Sequence, residues 1–289
     1  MNLAPPRPGS PVEVLPGVLR ITAPNPSLMT GPGTNTYLVG TRALVAVDPG
    51  PDDALHVESI TEAVRGRGEL QAVVLTHTHP DHAPAADALS RLTGAPVLGY
   101  EERDGIRLDL LLREGDTVGF GDVALTALHT PGHVGNHLCF AAAVDGERVL
   151  FSGDHIMGGS TVVILPPDGD MGAYLSSLER LLSLDPAITV IAPGHGPLLD
   201  TPRAVVEGYV AHRRVREAAV LDALRRLGSA KVEDVVREVY TDVPVDLHPV
   251  AAYSVWAHLR KLRQDGAAFS DEPDVIDGSW RSAPAATQP

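Results

Sequence analysis

Three histidines and an aspartate stand within seven residues in the segment THTHPDH, at positions 76–82. The segment follows the apolar run QAVVL, which its length and composition predict to be a buried strand. Residues two apart in an extended segment point the same way, so His77 and His79 can bind one ion. Asp81 and His82 follow at the turn into a helix and can face a second ion. Such donors suit divalent metals that activate water for hydrolysis.

Three further donor residues stand later in the chain, each after an apolar run and beside a glycine. They are His133 in TPGH, Asp154 in LFSGD and His195 in TVIAPGHG. A histidine-rich segment alone fits a helix cap with hydrogen-bonded histidines as well as a metal site. The same arrangement at the ends of three other predicted strands favours a metal site built at one edge of a sheet.

The segments that must position these donors alternate between short strands and helices in the first two hundred residues. NTYLVG and ALVAV predict strands, HLCFAAAVDGERVLFSGD predicts a hairpin, and apolar spacings of three and four predict helices between them. Long helix-forming segments follow. We predict a first domain over residues 1–202, a mainly helical domain over 203–270, and a flexible tail over 271–289.

Charge and composition narrow the function classes. The chain has 289 residues, 44% of them apolar, and a net charge of −14. Residues 1–202 carry 11 Lys and Arg against 24 Asp and Glu, and residues 203–263 carry 11 against 8, whereas a protein that binds phosphate backbone along its surface is expected to be basic. A single cysteine leaves metal binding to His and carboxylates. Without a secretory signal pattern or a span-length apolar run, we expect a cytoplasmic protein that does not enter the membrane.

The motifs HTHPDH, TPGH, SGD and PGHG, in this order, resemble the metallo-β-lactamase superfamily. The resemblance implies an α+β fold in which two β-sheets lie between two helical layers, an αββα sandwich, and metal-dependent hydrolase activity. It also implies two zinc ions per chain, although iron and manganese accept the same donors. Asp81 and Asp154 are the catalytic residues that it implies. The implied ligands are His77, His79 and His133 for one ion, and Asp81, His82 and His195 for the other, with Asp154 bridging both.

Three further segments resemble the β-lactamase-like-protein-2 group, which adds a small winged-helix domain: GPGTNTYLVG, YVAHRRVRE and LHPVAAYSVWAHLRKLRQDGAAFS. Some members of that group cleave single-stranded RNA, and fungal relatives are thioesterases. The resemblance implies a hydrolase whose metal-bridging hydroxide attacks an ester, a thioester or a phosphodiester. Its partner would be a small acyl substrate or single-stranded RNA. β-Lactamase activity is disfavoured, because true metallo-β-lactamases have Cys or Ser where this chain has Asp154.

The role of the C-terminal region stays open at this point. Its basic segments HRRVR and RKLR are candidate phosphate contacts, but such runs also occur as solvated helix faces. Aromatic residues make up 4% of the chain, which leaves few rings on which bases could stack. The region either caps the first domain or binds nucleic acid. The alternative from another class, a DNA- or protein-binding module on a hydrolase scaffold, conflicts with the complete ligand set. The sequence does not determine the oligomeric state, and a dimer is one of the alternatives.

Four residues near the ligand positions are candidates for orienting ligands or contacting the substrate. Asp48 in VAVDPG matches the acidic residue that orients a ligand histidine in the resembled family. Thr34 and Asn35 belong to the GTNTY loop, which lies near the metals in that family, although a tight turn explains this loop equally well. His137 either relays protons, orients a ligand, or is an ordinary hydrogen-bonded histidine.

Overall fold

The computed structural model describes residues 1–159, 161–241 and 243–284. The chain divides into two compact units. The first comprises Met1–Thr130, Asn136–Val162 and Arg180–Val206, and the second comprises Pro131–Gly135, Val163–Glu179 and the described residues from Glu207 onward. The division predicted after residue 202 falls near the last of these limits. The two short inner segments of the second unit have no signal in the sequence.

A seven-stranded sheet in the first unit has its strands in chain order. The strands are β1 Val12–Leu15, β2 Val18–Thr22, β3 Asn35–Val39, β4 Ala43–Val47, β5 Glu69–Val74, β6 Val97–Gly99 and β7 Leu110–Leu111. Strands β1 to β4 pair antiparallel, and β4 to β7 pair parallel. The carboxyl ends of β4 and β5 therefore meet at one edge, where the histidine segment begins.

A five-stranded sheet completes the sheet structure of the first unit. Its strands are β8 Thr117–Phe120, β9 Val123–His129, β10 Leu138–Val144, β11 Glu147–Gly153 and β12 Val190–Pro193. The order is β12-β11-β10-β9-β8, and only β11 and β12 pair in parallel. The predicted hairpin is thus formed by β10 and β11, and the segments with Asp154 and His195 leave neighbouring strand ends.

The two sheets pack face to face through one buried apolar cluster. Val45 and Val74 of the first sheet belong to it, and the ring of Tyr37 lies 5.3 Å from that of Phe151 in the second sheet, centroid to centroid. Leu44 lies on the opposite face of β4, in a second cluster formed with the helices α1 (Ala54–Arg67) and α2 (Ala85–Thr93). Both faces of β4 are buried, which explains its unbroken apolar sequence.

Helix ends cover the second sheet. The end of α3 (Met171–Leu182) and the start of α4 (Pro202–Leu227) contribute Leu181 and Val206 to a small apolar cavity, which Leu150 and Ile191 of the sheet also line. Helices therefore contact both sheets from outside. The predicted α+β fold with its αββα arrangement is confirmed. Among the described residues, no helix combines the length and the apolar character that crossing a bilayer requires.

The second unit contains most of α4 together with a small helical and sheet module. Its elements are α5 (Val232–Val239), a 3-10 turn (Val245–Leu247), α6 (His248–Gln264), β13 (Ser229–Lys231), β14 (Ala268–Phe269) and β15 (Ser279–Ser282). The three strands form an antiparallel sheet in the order β13-β15-β14. This arrangement matches the predicted winged-helix-like region.

The prediction of a flexible tail from residue 271 is wrong for its first part. Strand β15 lies within it, and Trp280 of this strand is fully buried in a cluster with Val235, Val255 and Leu259. One tryptophan buries enough apolar surface to order a segment that is otherwise polar and small. The last part of the predicted tail, residues 285–289, lies outside the described residues.

Candidate metal site

Four potential ligand atoms of the first unit surround one point. The Nε2 atom of His82 lies 3.3 Å from Nε2 of His195, 3.4 Å from Oδ2 of Asp81 and 3.2 Å from Oδ1 of Asp154. Nε2 of His195 lies 3.2 Å from each of the same two carboxylate oxygens. The four residues come from the loop after β5 and from the ends of β11 and β12.

These separations match the demands of a tetrahedral metal ion. When ligand atoms lie about 2.0 Å from a zinc ion, neighbouring corners of the tetrahedron are about 3.3 Å apart. The five measured separations between the four atoms are 3.2–3.4 Å. Two imidazoles and two carboxylates are also a donor set that divalent transition metals accept. The residues therefore fit a metal ion in size and chemistry.

A second group of potential ligands shares Asp154 with the first. Ligand atoms of His77, His79 and Asp154 all lie within 4.8 Å of one another, and Nε2 of His77 is 2.9 Å from Nδ1 of His79. His77 and Asp154 are buried, and His79 is partly exposed. Asp154 is thus placed where one carboxylate can serve two neighbouring ions.

His133 lies on the loop between β9 and β10, in a segment that belongs to the second unit. Its Nδ1 is 2.7 Å from the carbonyl oxygen of Val163 in the same unit, so this nitrogen carries the ring proton. The base of the loop is closed within the first unit by the hydrogen bond from Thr130 N to the His137 carbonyl, at 2.9 Å. With the ring proton on Nδ1, Nε2 is the unprotonated nitrogen of His133.

Asp48 fixes the ring orientation of His82. Asp48 directly follows β4 and adopts a φ of 50°, a left-handed conformation that aspartate tolerates better than most residues. Oδ2 of Asp48 is 2.9 Å from Nδ1 of His82, and both groups are buried. A carboxylate at this distance holds the ring proton on Nδ1 and leaves Nε2 to face the other three donors.

Thr76 extends the same arrangement to His77. The Thr76 N–H and hydroxyl both donate to Asp48, each at 2.7 Å. Because the hydroxyl hydrogen is used in this way, its oxygen accepts from Nδ1 of His77 at 2.9 Å. With its ring proton on Nδ1, His77 has Nε2 as its unprotonated nitrogen. Asp48 orients one histidine of each group, His82 directly and His77 through Thr76.

Asn35 lies behind the site and makes all its side-chain hydrogen bonds inside the protein. Its amide donates to the carbonyls of Pro193 and Gly196 at 3.0 and 2.9 Å, and its Oδ1 accepts from the hydroxyl of Thr22. Tyr37 donates to the same Pro193 carbonyl at 2.9 Å. These bonds hold both sides of the loop with His195. Asn35 is 1% exposed, and its hydrogen bonds tie it to the loop that carries His195.

His137 is fully buried and supports the segment of Asp154. Its Nε2 accepts from the backbone N–H of Asp154 at 3.2 Å, so its proton is on Nδ1, which is 2.9 Å from the hydroxyl of Thr130. That hydroxyl in turn donates to the thiol of Cys139. Of the roles predicted for His137, these bonds support that of orienting the Asp154 segment.

Two glycines allow the ligands to approach one another. A Cβ atom on Gly194 would lie 2.7 Å from Cε1 of His82 and 3.0 Å from Oδ1 of Asp154. Gly153 has a φ of 47°, and a Cβ atom there would collide with the Thr76 side chain. Any larger residue would displace the ligands. The motifs contain both glycines, but their role follows only from the packing.

Charges at the site shift the pKa values of its members in opposite directions. Burial opposes ionisation of Asp81 and Asp154, but the nearby His82 and His195 outweigh it and hold the pKa values of both carboxyls below their usual range. The carboxylates in turn outweigh burial at the two histidines, raising the pKa of His195 to about 9 and that of His82 as well. Burial lowers the pKa of His77. The two carboxylates and the two histidines thus stabilise each other's charged forms.

Comparison with known sequences assigns the family. Residues 29–195 match the metallo-β-lactamase superfamily, and residues 232–280 match the beta-lactamase associated winged helix domain. The chain belongs to the metallo-β-lactamase superfamily. It is therefore a metal-dependent hydrolase with a C-terminal winged-helix domain, as the motifs predicted.

Individual relatives cover most of the chain. A Beta-lactamase-like protein 2 homolog of Drosophila melanogaster is 33% identical over 86% of this chain and 88% of its own length, which places the chain in that group. An Atrochrysone carboxyl ACP thioesterase of Aspergillus chevalieri is 32% identical over 81% of this chain and 77% of its own. A Beta-lactamase domain protein from Burkholderia ambifaria, known from its crystal structure, has the same fold, with a TM-score of 0.79 at 21% identity over 96% of this chain and 95% of the other.

Proposed function

We propose that the protein hydrolyses small acyl thioesters or esters with the help of two divalent metal ions. One ion would be held by His77, His79 and His133, the other by Asp81, His82 and His195, with Asp154 shared by both. Zinc is the proposed metal, because nitrogen and oxygen donors at tetrahedral separations suit it, and iron and manganese are the alternatives. When bound, such ions make a water molecule more acidic and withdraw electrons from a carbonyl group.

The chain's own residues supply the rest of the chemistry. Asp81 and Asp154 stay ionised at neutral pH because of the facing histidines, so they compensate positive charge at the reacting centre. Asp48 keeps His77 and His82 in the tautomers that present Nε2. No cysteine or serine of the described site is required to form a covalent intermediate, because hydrolysis by metal-activated water needs none.

The pairing of basic side chains in the second unit is the observation that favours an acyl substrate over RNA. The segments HRRVR and RKLR were the candidate phosphate contacts. Arg213 of the first is buried, Arg214 is 2.6 Å from Glu179, and Lys261 of the second is 3.0 Å from Glu217. Arg260 also pairs with Asp274. Three of the six basic side chains in these segments therefore face carboxylates, and such pairs create little of the positive field that attracts a nucleic-acid backbone.

A loop before β3 exposes two apolar side chains at its tip and reaches Asp81 at its end. Leu28 and Met29 at its tip are 72% and 48% exposed. The loop is held in shape by Ser27, whose hydroxyl accepts from the N–H groups of Met29 and Thr30 at 3.1 and 3.0 Å. Its end, Thr34, contacts Asp81. Exposed apolar side chains on a loop whose end contacts Asp81 fit an acyl chain better than a polynucleotide.

A parallel assay of the metal-loaded protein tests the substrate class. We expect turnover of acyl thioesters or esters with kcat/KM of at least about 10⁴ M⁻¹s⁻¹, within the usual enzyme range, and no cleavage of single-stranded RNA. Asp81→Ala serves as the control and should remove the activity. RNA cleavage without thioester or ester hydrolysis would contradict the proposal, and activity that survives Asp81→Ala would identify a contaminating enzyme.

The chain-length dependence of the same assay tests the loop. Leu28→Ser should raise KM for a long-chain acyl thioester by about tenfold, because burying a leucine side chain contributes at least about 1.5 kcal/mol, and should leave KM for an acetyl thioester unchanged. Leu55→Ser on α1, where Leu55 is 69% exposed, is the matched control. An equal change for both chain lengths would show that Leu28 does not contact the acyl group.

A further inference from the structure

Asp81 is the most exposed of the four candidate ligands Asp81, His82, Asp154 and His195. Its side chain is 26% exposed, against 11% for Asp154, 4% for His195 and 0% for His82. A partly exposed carboxylate has more rotational freedom than a buried one and needs a further contact to hold its direction. The hydroxyl of Thr34, a fully buried residue, donates to Oδ2 of Asp81 at 3.3 Å.

Asn25 determines which way that hydroxyl points. Oδ1 of Asn25 accepts from the backbone N–H of Thr34 at 2.9 Å, and this contact fixes the orientation of the amide, since a flipped amide would set two donors against each other. Nδ2 of Asn25 then donates to Oγ1 of Thr34 at 3.0 Å. With its oxygen accepting from Asn25, Thr34 has its hydrogen left for Asp81.

The loop that joins the two residues is itself held. Thr30 donates through its hydroxyl to the Asn25 carbonyl at 2.5 Å, and Gly33 N donates to the Thr30 carbonyl at 3.0 Å. Thr34 also bridges to the backbone of His195. Asn25 and Thr34 therefore have fixed positions relative to two of the donors.

We propose that Asn25 and Thr34 are positioning residues that direct the Asp81 carboxylate at the ion held by Asp81, His82 and His195. The inference rests on the proposed metal site and concerns one of its two ions. Neither residue is one of the proposed ligands. Their effect is carried by one hydrogen bond, whose direction Asn25 imposes.

The substitution Asn25→Asp tests the direction of this bond without changing the shape of the side chain. One carboxylate oxygen can still accept from Thr34 N–H, but the other faces Oγ1 as an acceptor. The hydroxyl hydrogen of Thr34 then turns to residue 25, and Asp81 loses its bond. Thr34→Val removes the hydroxyl altogether, and Thr34→Ser keeps it.

The experiment measures the affinity of each variant for two Co²⁺ ions by competition with a chromophoric chelator, together with the visible spectrum of bound Co²⁺. We expect Asn25→Asp and Thr34→Val to weaken one of the two ions by at least about tenfold, the usual cost of losing a partner of a metal ligand, and to alter the spectrum. Thr34→Ser should bind as the parent does. Thermal melting of the metal-free variants checks that they are folded.

Two substitutions elsewhere are matched controls. Thr41→Val removes a hydroxyl that donates to Asp122 at 3.0 Å, and Asn2→Asp adds the same charge as Asn25→Asp near the N-terminus. Both should leave the two affinities unchanged. The proposal would be overturned if the folded Thr34→Val variant, or the folded Asn25→Asp variant, bound both Co²⁺ ions as tightly as the parent. Failure of the parent to bind two ions would overturn the metal site as well, so the two failures are distinguishable.

Discussion

Replacing Asp154 by asparagine is expected to reduce the bound metal from two ions per chain to one or none and to lower kcat/KM by more than about 100-fold. Loss of a partner that only orients a ligand already costs up to about that factor. Asp154 is the residue that the two ligand groups share, since its Oδ1 is 3.2 Å from both His82 and His195 and it also groups with His77 and His79. An amide of the same shape lacks the charge and half of the acceptors. Metal content by elemental analysis and steady-state kinetics measure the two effects.

Asp145→Asn is the matched control for this substitution. Asp145 is exposed in the turn before β11, the strand that Asp154 follows, and its φ of 50° suits asparagine equally well. The control removes the same charge and should keep both ions and full activity. If Asp154→Asn also retained two ions and activity within tenfold of the parent, Asp154 would not be a shared ligand.

The grouping of the candidate ligands could largely be predicted, because these residues lie in short motifs at strand ends. Parallel pairing of β4 with β5 and of β11 with β12 brings those ends together. The apolar runs before Thr76, Asp154 and His195 predict the strands. Such patterns depend on neighbouring residues alone, so the sequence predicts them directly. The hydrolase fold and the winged-helix region were predictable on the same basis.

The supporting contacts were not predictable, because they join residues that only the folded chain brings together. Asn25 has no motif of its own, and its partner Thr34 meets Asp81 across 47 positions. Asn35 reaches the Pro193 carbonyl across 158 positions. The error at Trp280 has a similar origin, because a polar, proline-containing composition conceals one aromatic side chain that a small core accepts. The grouping of two short inner segments with the second unit likewise depends on packing.

The basic segments show a further limit of sequence reading. A run such as HRRVR predicts a positive surface only if its charges stay unpaired, and pairing depends on the neighbouring elements. Glu179 lies 35 positions from Arg214, and Glu217 lies 44 positions from Lys261. Exposed ion pairs add little to stability. They nevertheless cancel part of the positive charge of these segments, and the weaker positive field favours an acyl substrate over RNA.

Asp48→Asn is expected to weaken both metal ions by about 10- to 100-fold, the range for partners that orient ligands. Oδ2 of Asp48 accepts from Thr76 Oγ1 and from Nδ1 of His82, and Oδ1 accepts from Thr76 N. An amide nitrogen at either oxygen position faces at least one donor. If it occupies the Oδ2 position, His82 loses its ring orientation directly and His77 loses it through Thr76. Chelator competition with Co²⁺ measures both affinities.

The metal-free Asp48→Asn protein should also unfold more easily, by about 1–3 kcal/mol, because a buried donor is left without an acceptor. Asp52→Asn, at an exposed position in the loop before α1, is the charge-matched control and should change neither property. A lower stability with unchanged affinities would mean that Asp48 joins the ends of β4 and β5 without orienting the histidines. The contrast with Thr34→Val is the decisive point, because Asp48 supports one histidine of each ligand group whereas Thr34 supports one carboxylate of a single group. Asp48→Asn should therefore lower the affinity for both ions, and Thr34→Val the affinity for one. This difference is expected only if each series of hydrogen bonds acts through the ligands that it orients.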